Sequence, residues 1–390
     1  MARTQTDRCP GVLAVHQAAD GGLARIRVPG GVLSGQQLDV LRQAALELGD
    51  GRLELTSRGN VQIRALTPDG PRELSDRLFE AGLLPSISHE RVRNILASPL
   101  SGLDQDSRYD VLPVATVVDR ELCARPGLAA LPGRFLFALD DGRGDLAGVR
   151  ADVGVRAVDG REALLSLGGG SRGVRVGWGE VAGVMVAAAE AFLSERDGEE
   201  WRIAELERGE DRILGRLGVQ ATEELPTTST TIDAGLHGDA LVVTVPLGSL
   251  TQEQAAAIAQ AAGAAGTADA LSAAGEVGVG VAGVAQVGVR ITPWRSVVVP
   301  AVAGEQLERV GLVTRPDSVW NGVTACAGRP GCGKALADVR ADAARMTPNM
   351  RRDGRRVHWS GCERRCGKPA GEFVDVLAVG NGYLVDGEPM

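Results

Sequence analysis

Apolar and polar positions along this chain follow one plan that occurs twice. Ala24-Arg25-Ile26-Arg27-Val28-Pro29 has the period-two spacing of a half-buried strand. After Gly30-Gly31-Val32-Leu33-Ser34, the residues Leu38, Leu41, Ala45 and Leu48 recur at helical spacing and predict a helix with one apolar face. Ser34 with Gln37 three residues on has the spacing of a capping box. A strand over 52–56, a loop over 57–60 and a further strand over 61–64 follow. The second copy opens with Leu241-Val242-Val243-Thr244-Val245-Pro246 and Leu247-Gly248-Ser249-Leu250-Thr251. An Ala-rich helix over 252–262 comes next, with Thr251 and Gln254 at capping-box spacing. After a Gly/Ala-rich interval, residues 289–299 parallel 53–63, and the order strand, helix, strand recurs with Pro and Thr in matching places.

Neither half-unit is large enough to bury a sheet face alone, so the pattern predicts that the two pair about a pseudo-two-fold axis. Between them, strands are expected at 111–118 and 135–139 and helices at 181–193 and 199–217. The Thr-rich stretch 226–238 reads as the linker between halves. The last 80 or so residues read as a second α/β unit with a helix over 334–344. The expected class is α+β with internal duplication.

Length and charge narrow the function. A chain of 390 residues exceeds the usual single domain of about 100–200 residues. Its formal net charge of −8 disfavours nucleic acid as a partner. Residues 1–8 are polar and lack the apolar core of a secretory signal. No run reaches the roughly 18 apolar residues of a membrane span. A cytoplasmic protein without a membrane partner is expected.

Four of the six cysteines lie in one C-terminal stretch, as Cys326-Ala-Gly-Arg-Pro-Gly-Cys332 and Cys362-Glu-Arg-Arg-Cys366. That clustering points to metal binding rather than a disulfide framework. Four thiolates suffice for a 4Fe-4S cluster. The flanking Gly328, Gly331, Gly333, Gly361 and Gly367 let backbone N–H groups approach cluster sulfurs. The spacing departs from the C-x2-C knuckles of zinc ribbons. A structural zinc site or plain buried cysteines are the competing readings. Cys9 and Cys123 have no partner pattern.

A second constellation is basic. Arg58, Gln62 and Arg64 lie near one strand end, where arginine forks could bind carboxylates bidentately. A solvated strand edge is the bland alternative.

These residues carry a family resemblance. Thr56-x-Arg58-x-Asn60-x-Gln62, Val92-Arg93-Asn94-Ile95, Leu131-Pro132-Gly133-Arg134-Phe135 and the two cysteine pairs resemble the nitrite and sulfite reductase superfamily, over nearly the whole chain. Arg8-Cys9-Pro10-Gly11-Val12-Leu13, Ala97-Ser98-Pro99-Leu100-Ser101-Gly102 and Ser360-Gly361-Cys362 are similar to its precorrin-3B synthase branch. The resemblance implies ferredoxin-like half-domains at 1–72 and 235–304 and α/β cofactor-binding domains at 75–222 and 308–390. In the reductases sirohaem sits on the cysteine equivalent to Cys366, and four basic residues grip the oxyanion. Arg58, Arg93 and Arg134 match three of these, whereas Leu136 stands where the pattern L-P-R-K-F-K has its second lysine.

One missing cation disfavours a compact oxyanion and favours a polycarboxylate macrocycle in the same cavity. The resemblance therefore implies a monooxygenase of cobalamin biosynthesis. It would hydroxylate precorrin-3A with O2 and close a lactone to give precorrin-3B, with electrons passing through a 4Fe-4S cluster. Cys326, Cys332, Cys362 and Cys366 would be the ligands. Arg58, Gln62, Arg64, Arg93 and Arg134 would line the cavity, with Arg58, Arg93 and Arg134 nearest the chemistry. A mononuclear non-haem iron is associated with the branch, and its ligands are not written as a local motif. The histidines available are His16, His89, His237 and His358. The donor is expected to be ferredoxin, or NADH through a separate reductase, since no G-x-G-x-x-G in a strand-to-helix context is present. The alternative is a sirohaem-dependent assimilatory sulfite or nitrite reductase.

Overall fold

The computed structural model describes residues 9–264, 288–350, 353–369 and 371–390. Met1 to Arg8 and most of the Gly/Ala-rich interval after the second helix lie outside the described residues.

Both capping boxes form as the spacing predicts. Ser34 Oγ accepts from the Gln37 backbone N–H (3.0 Å) and Gln37 Oε1 from the Ser34 N–H (3.0 Å), opening the helix Gly35–Leu48. Thr251 and Gln254 make the reciprocal pair at 3.2 and 3.0 Å before the helix Gln252–Ala264. These helices cover two five-stranded sheets of matching order. One runs His16–Ala18, Gly21–Ile26, Val61–Leu66, Leu53–Leu55 and then Ser249–Leu250. The other runs Gly235–His237, Ala240–Thr244, Ser296–Pro300, Val289–Ile291 and then Val32–Leu33.

Each sheet therefore takes its fifth strand from the opposite half of the chain, with Ser249 opposite Glu54 and Val32 opposite Arg290. A single core results, holding Ile26, Leu38, Leu41 and Ile63 together with Val243, Ile258, Ile291 and Val297. The exchange requires close backbone approach. Gly31 has φ +74°, and a β-carbon there would sit 2.3 Å from Ile291 O, so only glycine fits.

The α/β unit between the halves is a six-stranded sheet ordered Glu223–Glu224, Arg172–Gly177, Glu162–Leu167, Val153–Ala157, Phe137–Asp140 and Ile95–Ala97, with the last three parallel. Helices Leu112–Cys123 and Trp178–Glu195 cover it around Phe135, Phe137, Met185 and Phe192. Two expectations are corrected here. The stretch 111–118, expected as a strand, lies largely in the first of these helices. Its valines gave it strand-like composition, but the buried set Val114, Ala115, Val118 and Leu122 has helical spacing. The helix expected over 199–217 is a short 3-10 turn, Ile203–Glu205, then a helix Gly209–Leu217, separated where Arg208 turns left-handed at φ +51°.

The C-terminal unit is a sheet of Val323–Ala325, Arg356–Ser360, Phe373–Val379, Gly382–Val385 and Glu388–Pro389. Its first three strands are parallel, and the cysteine pairs follow the C-terminal ends of the first two. Ligands of open α/β sheets bind at such ends. The helix expected over 334–344 begins only at Val339, capped by Asp338. Residues 334–338 instead close the first cysteine loop through hydrogen bonds, so no helix end points from Lys334 at the site.

Candidate functional site: the cysteine loops and their arginine frame

Cys326, Cys332, Cys362 and Cys366 are all free thiols. Cys326 N–H donates to Trp359 O (2.9 Å), Cys332 N–H to Gly328 O (2.8 Å), Ala335 N–H to Cys332 O (3.0 Å) and Leu336 N–H to Gly361 O (2.8 Å). The two loops are thus sewn to each other. Gly361 N–H donates to Cys326 Sγ at 3.2 Å. A β-carbon on Gly361 would lie 2.7 Å from that of Ala335, so the loops meet only across glycine. Burial pushes the Cys366 thiol up, Arg364 opposes this, and Cys326, Cys362 and Cys332 push it up further. The four sulfurs are therefore electrostatic neighbours.

Among the described residues the one group of three ligand atoms within 4.8 Å of one another is Asp140, Asp141 and Asp145. The cysteines are spread wider than a tetrahedral zinc site with Zn–S bonds of about 2.3 Å. Four thiols, wider spacing and a backbone N–H on a sulfur fit a 4Fe-4S cluster.

Arg64 sets the position of the first loop. Its Nη2 donates to Gly331 O (2.6 Å), while Nε and Nη2 grip Asp20 at 2.9 and 3.0 Å. Glu54 lies 3.8 Å away and also pairs with Arg340. Against the opposing effect of burial, Arg340 and Arg64 hold the Glu54 carboxyl below its usual range. Gln62 donates to Glu54 (3.1 Å) and accepts from Arg25 Nε (2.8 Å). Arg64 and Gln62 were expected to meet a ligand's carboxylates. In the structure Arg64 Nε and Nη2 and both ends of the Gln62 amide are engaged by these internal partners.

Arg93 is engaged internally as well. It binds Asp119 bidentately at 2.8 and 2.7 Å and donates to Leu83 O (2.9 Å), with only 4% of its surface exposed. Arg58 differs. Among the described residues its guanidinium has no hydrogen-bond or ion-pair partner. Burial, and then the like charge of Arg202, pushes its pKa down to about 10. Arg134 is exposed, with its guanidinium 4.9 Å over the Trp201 ring, and it lies near enough to act on Arg25. Leu136 is buried among Leu96, Ala138, Leu146 and Ala151.

Sequence reasoning missed Arg25, Arg27, Arg202, Arg295 and Arg340, which complete this frame. Charge patterning gives each the look of a solvated residue on a strand, loop or helix.

The histidines do not converge. His89 is bonded on both ring nitrogens, to Ser86 and Ser88 and to Arg125 O. His237 bonds Asp233 O, and His16 is exposed on an edge strand. His358 is fully buried behind the Cys362–Cys366 loop, with Nδ1 on Thr324 Oγ1 (2.8 Å). Two histidines and a carboxylate do not gather within 4.8 Å among the described residues. The side chains present do not fit a facial-triad iron.

The acidic group has a different meaning. Burial, then Asp140, pushes the Asp145 carboxyl up to about 7. Its Oδ1 accepts from Ser98 Oγ (2.6 Å), and its buried Oδ2 has no partner among the described residues. The folded chain then holds a proton that the unfolded chain has released above about pH 4. Stability should fall as pH rises from about 4 through about 7. Asp145→Asn should flatten that slope, read as urea midpoints across the window; an unchanged slope would refute the assignment.

Comparison with known proteins matches this architecture. The nitrite/sulfite reductase ferredoxin-like half domain matches residues 16–80. The structure of the Mycobacterium tuberculosis NirA protein superposes with a TM-score of 0.73 at 22% identity, covering 93% of this chain and 73% of that one. The fold is that of the nitrite and sulfite reductases, and the chain is an enzyme of the oxidoreductase class. Within that class, a precorrin-3B synthase from a Sinorhizobium species is 27% identical over 98% of this chain and 83% of its own length. A ferredoxin–nitrite reductase from Synechococcus elongatus is 25% identical over 94% and 77%. The resemblance expected from the motifs is borne out. No described helix is long and apolar enough to cross a membrane.

Proposed function

We propose that this chain catalyses the O2-dependent hydroxylation of precorrin-3A, with lactone formation, to give precorrin-3B in cobalamin biosynthesis. The observation that carries this reading is Leu136. Where the reductase pattern has an anion-binding lysine, this side chain is 4% exposed in an apolar cluster. A compact oxyanion would meet one cation fewer, and Arg93 is already neutralised by Asp119. Two unneutralised arginines, Arg58 and Arg134, suit separate carboxylates on a broad ligand better than one small dianion. The similarity to a precorrin-3B synthase over nearly the whole chain supports the same substrate class.

In this reading Cys326, Cys332, Cys362 and Cys366 hold a 4Fe-4S cluster, which supplies single electrons from a ferredoxin or from NADH through a reductase. Arg58 and Arg134 bind and orient the macrocycle's carboxylates. Arg64, Arg340 and Glu54 fix the first cysteine loop.

Arg58→Ala should weaken precorrin binding by about 10–100-fold, the worth of a charge-assisted hydrogen bond of ~1.5–3 kcal/mol. Cluster absorbance should persist. Titration of the bound macrocycle checks this, and unchanged affinity would count against the placement. The second reading is a sirohaem-dependent nitrite or sulfite reductase, favoured by the nitrite reductase similarity over 94% of the chain. Intense sirohaem bands in the purified protein would select it.

A further inference from the structure

Arg295 stands in a conformation that belongs to glycine. In the first half-domain Thr56 N–H donates to Asn60 O (2.9 Å) and Gly59 N–H to Thr56 O (3.2 Å). Thr56 Oγ1 accepts from Arg58 N–H (3.3 Å) and Asn60 N–H (3.1 Å). The pseudo-symmetric turn from Thr292 to Ser296 repeats all four bonds. Thr292 N–H reaches Ser296 O (3.0 Å), Arg295 N–H reaches Thr292 O (3.3 Å), and Thr292 Oγ1 accepts from Trp294 and Ser296 N–H (3.2 Å each). The left-handed residue is Gly59 (φ +64°) in one turn and Arg295 (φ +62°) in the other. A side chain in that region is strained, and such strain clusters at functional sites.

The side chain runs inward over Gly248, whose β-carbon would lie 2.4 Å from Arg295 Cδ. Its Nη2 lies 3.2 Å from where Gly367, the residue after Cys366, would carry a β-carbon. Among the described residues its guanidinium has no hydrogen-bond or ion-pair partner. The charges that act on it are Arg340 and Glu54, and Glu54 is engaged by Arg340, Arg64 and Gln62. A half-buried cation without a counter-ion at a cysteine loop calls for an anion there.

We infer that Arg295 is a positioning residue whose guanidinium is the counter-charge of a 4Fe-4S cluster on the Cys362–Cys366 loop and raises its reduction potential. The inference rests on the cluster reading above. With four thiolates the oxidised cluster is a dianion, and one electron from a ferredoxin-class donor makes it a trianion. No bond forms or breaks. A fixed neighbouring cation stabilises the more negative state more strongly.

Arg295→Gly tests this on the whole protein, because Gly59 shows that the turn accepts glycine. Potentiometric titration followed by electron paramagnetic resonance should place the variant's midpoint lower. At the wild-type midpoint the reduced-to-oxidised ratio should fall about tenfold, or 59 mV for a one-electron couple. Arg295→Lys should recover more than half of that shift. Loss of iron and sulfide from Arg295→Gly that Arg295→Lys restores also supports the role. An unchanged midpoint overturns it, including when precorrin affinity falls, since the arginine would then serve the substrate. A wild-type protein that holds no cluster overturns both this inference and the reading beneath it.

Discussion

Replacing Cys362 by Ser should strip the protein of iron and acid-labile sulfide. The loss should exceed the ~10–100-fold in metal affinity that outer-sphere partners alone are worth, because a ligand is removed. Serine offers a hard, protonated oxygen where the proposed 4Fe-4S cluster would require a soft thiolate. The two loops are sewn together by Gly361 N–H on Cys326 Sγ and Leu336 N–H on Gly361 O, so the same loss is expected at Cys326, Cys332 and Cys366. Cys123→Ser supplies the control. That thiol packs, partly buried, against the core of the six-stranded unit, where burial and then Asp119 push its pKa up to about 11. Iron and sulfide analysis of the two variants side by side decides the matter. Equal cluster content in both would remove the cysteine quartet from the account.

Arg64→Met should be the most destabilising single change in the arginine frame. It leaves Asp20 without its bidentate partner and removes the donor to Gly331 O. It also strips Glu54 of one of its cations. Breaking a buried ion pair by removing one member costs about 3–5 kcal/mol. Because Gly331 lies in the Cys326–Cys332 loop, the penalty should appear at the cluster as well as in the fold. Urea unfolding should shift to lower denaturant, and a chelator should withdraw iron faster from the variant. A variant with wild-type stability and wild-type iron release would show that the clamp does not hold the loop.

These two changes also mark how far the sequence could be read. Chemistry carried by near neighbours was legible. The capping boxes at Ser34 and Thr251 and each cysteine pair lie within a few residues, and the repeated strand and helix order is built from such local patterns. The acid that holds Arg64 lies 44 residues away, and the carbonyl it clamps lies 267 away. A cation bound internally has the same local signature as one free for a ligand, so Arg58, Arg64 and Arg93 looked alike. The structure separates them by their partners. The exchanged edge strands, Val32–Leu33 and Ser249–Leu250, are too short to show a period. The helix Leu112–Cys123 was hidden because its valines favour strands in composition while its burial follows helical spacing. Arg295 carried no signal at all, since only its backbone angle and its place beside Gly367 set it apart.

Whether the macrocycle is substrate or prosthetic group separates the two readings. The most direct measurement is reaction of the anaerobically purified protein with a trimethylated precorrin, isotopically labelled O2 and an excess of reduced ferredoxin, which supplies the two electrons that release the second oxygen atom as water, read by mass spectrometry. The account predicts one labelled oxygen atom in the macrocycle product and a starting spectrum with the broad absorbance of a cluster alone. An unlabelled, unchanged macrocycle, with sirohaem bands in the starting protein and turnover of nitrite or sulfite, would contradict it.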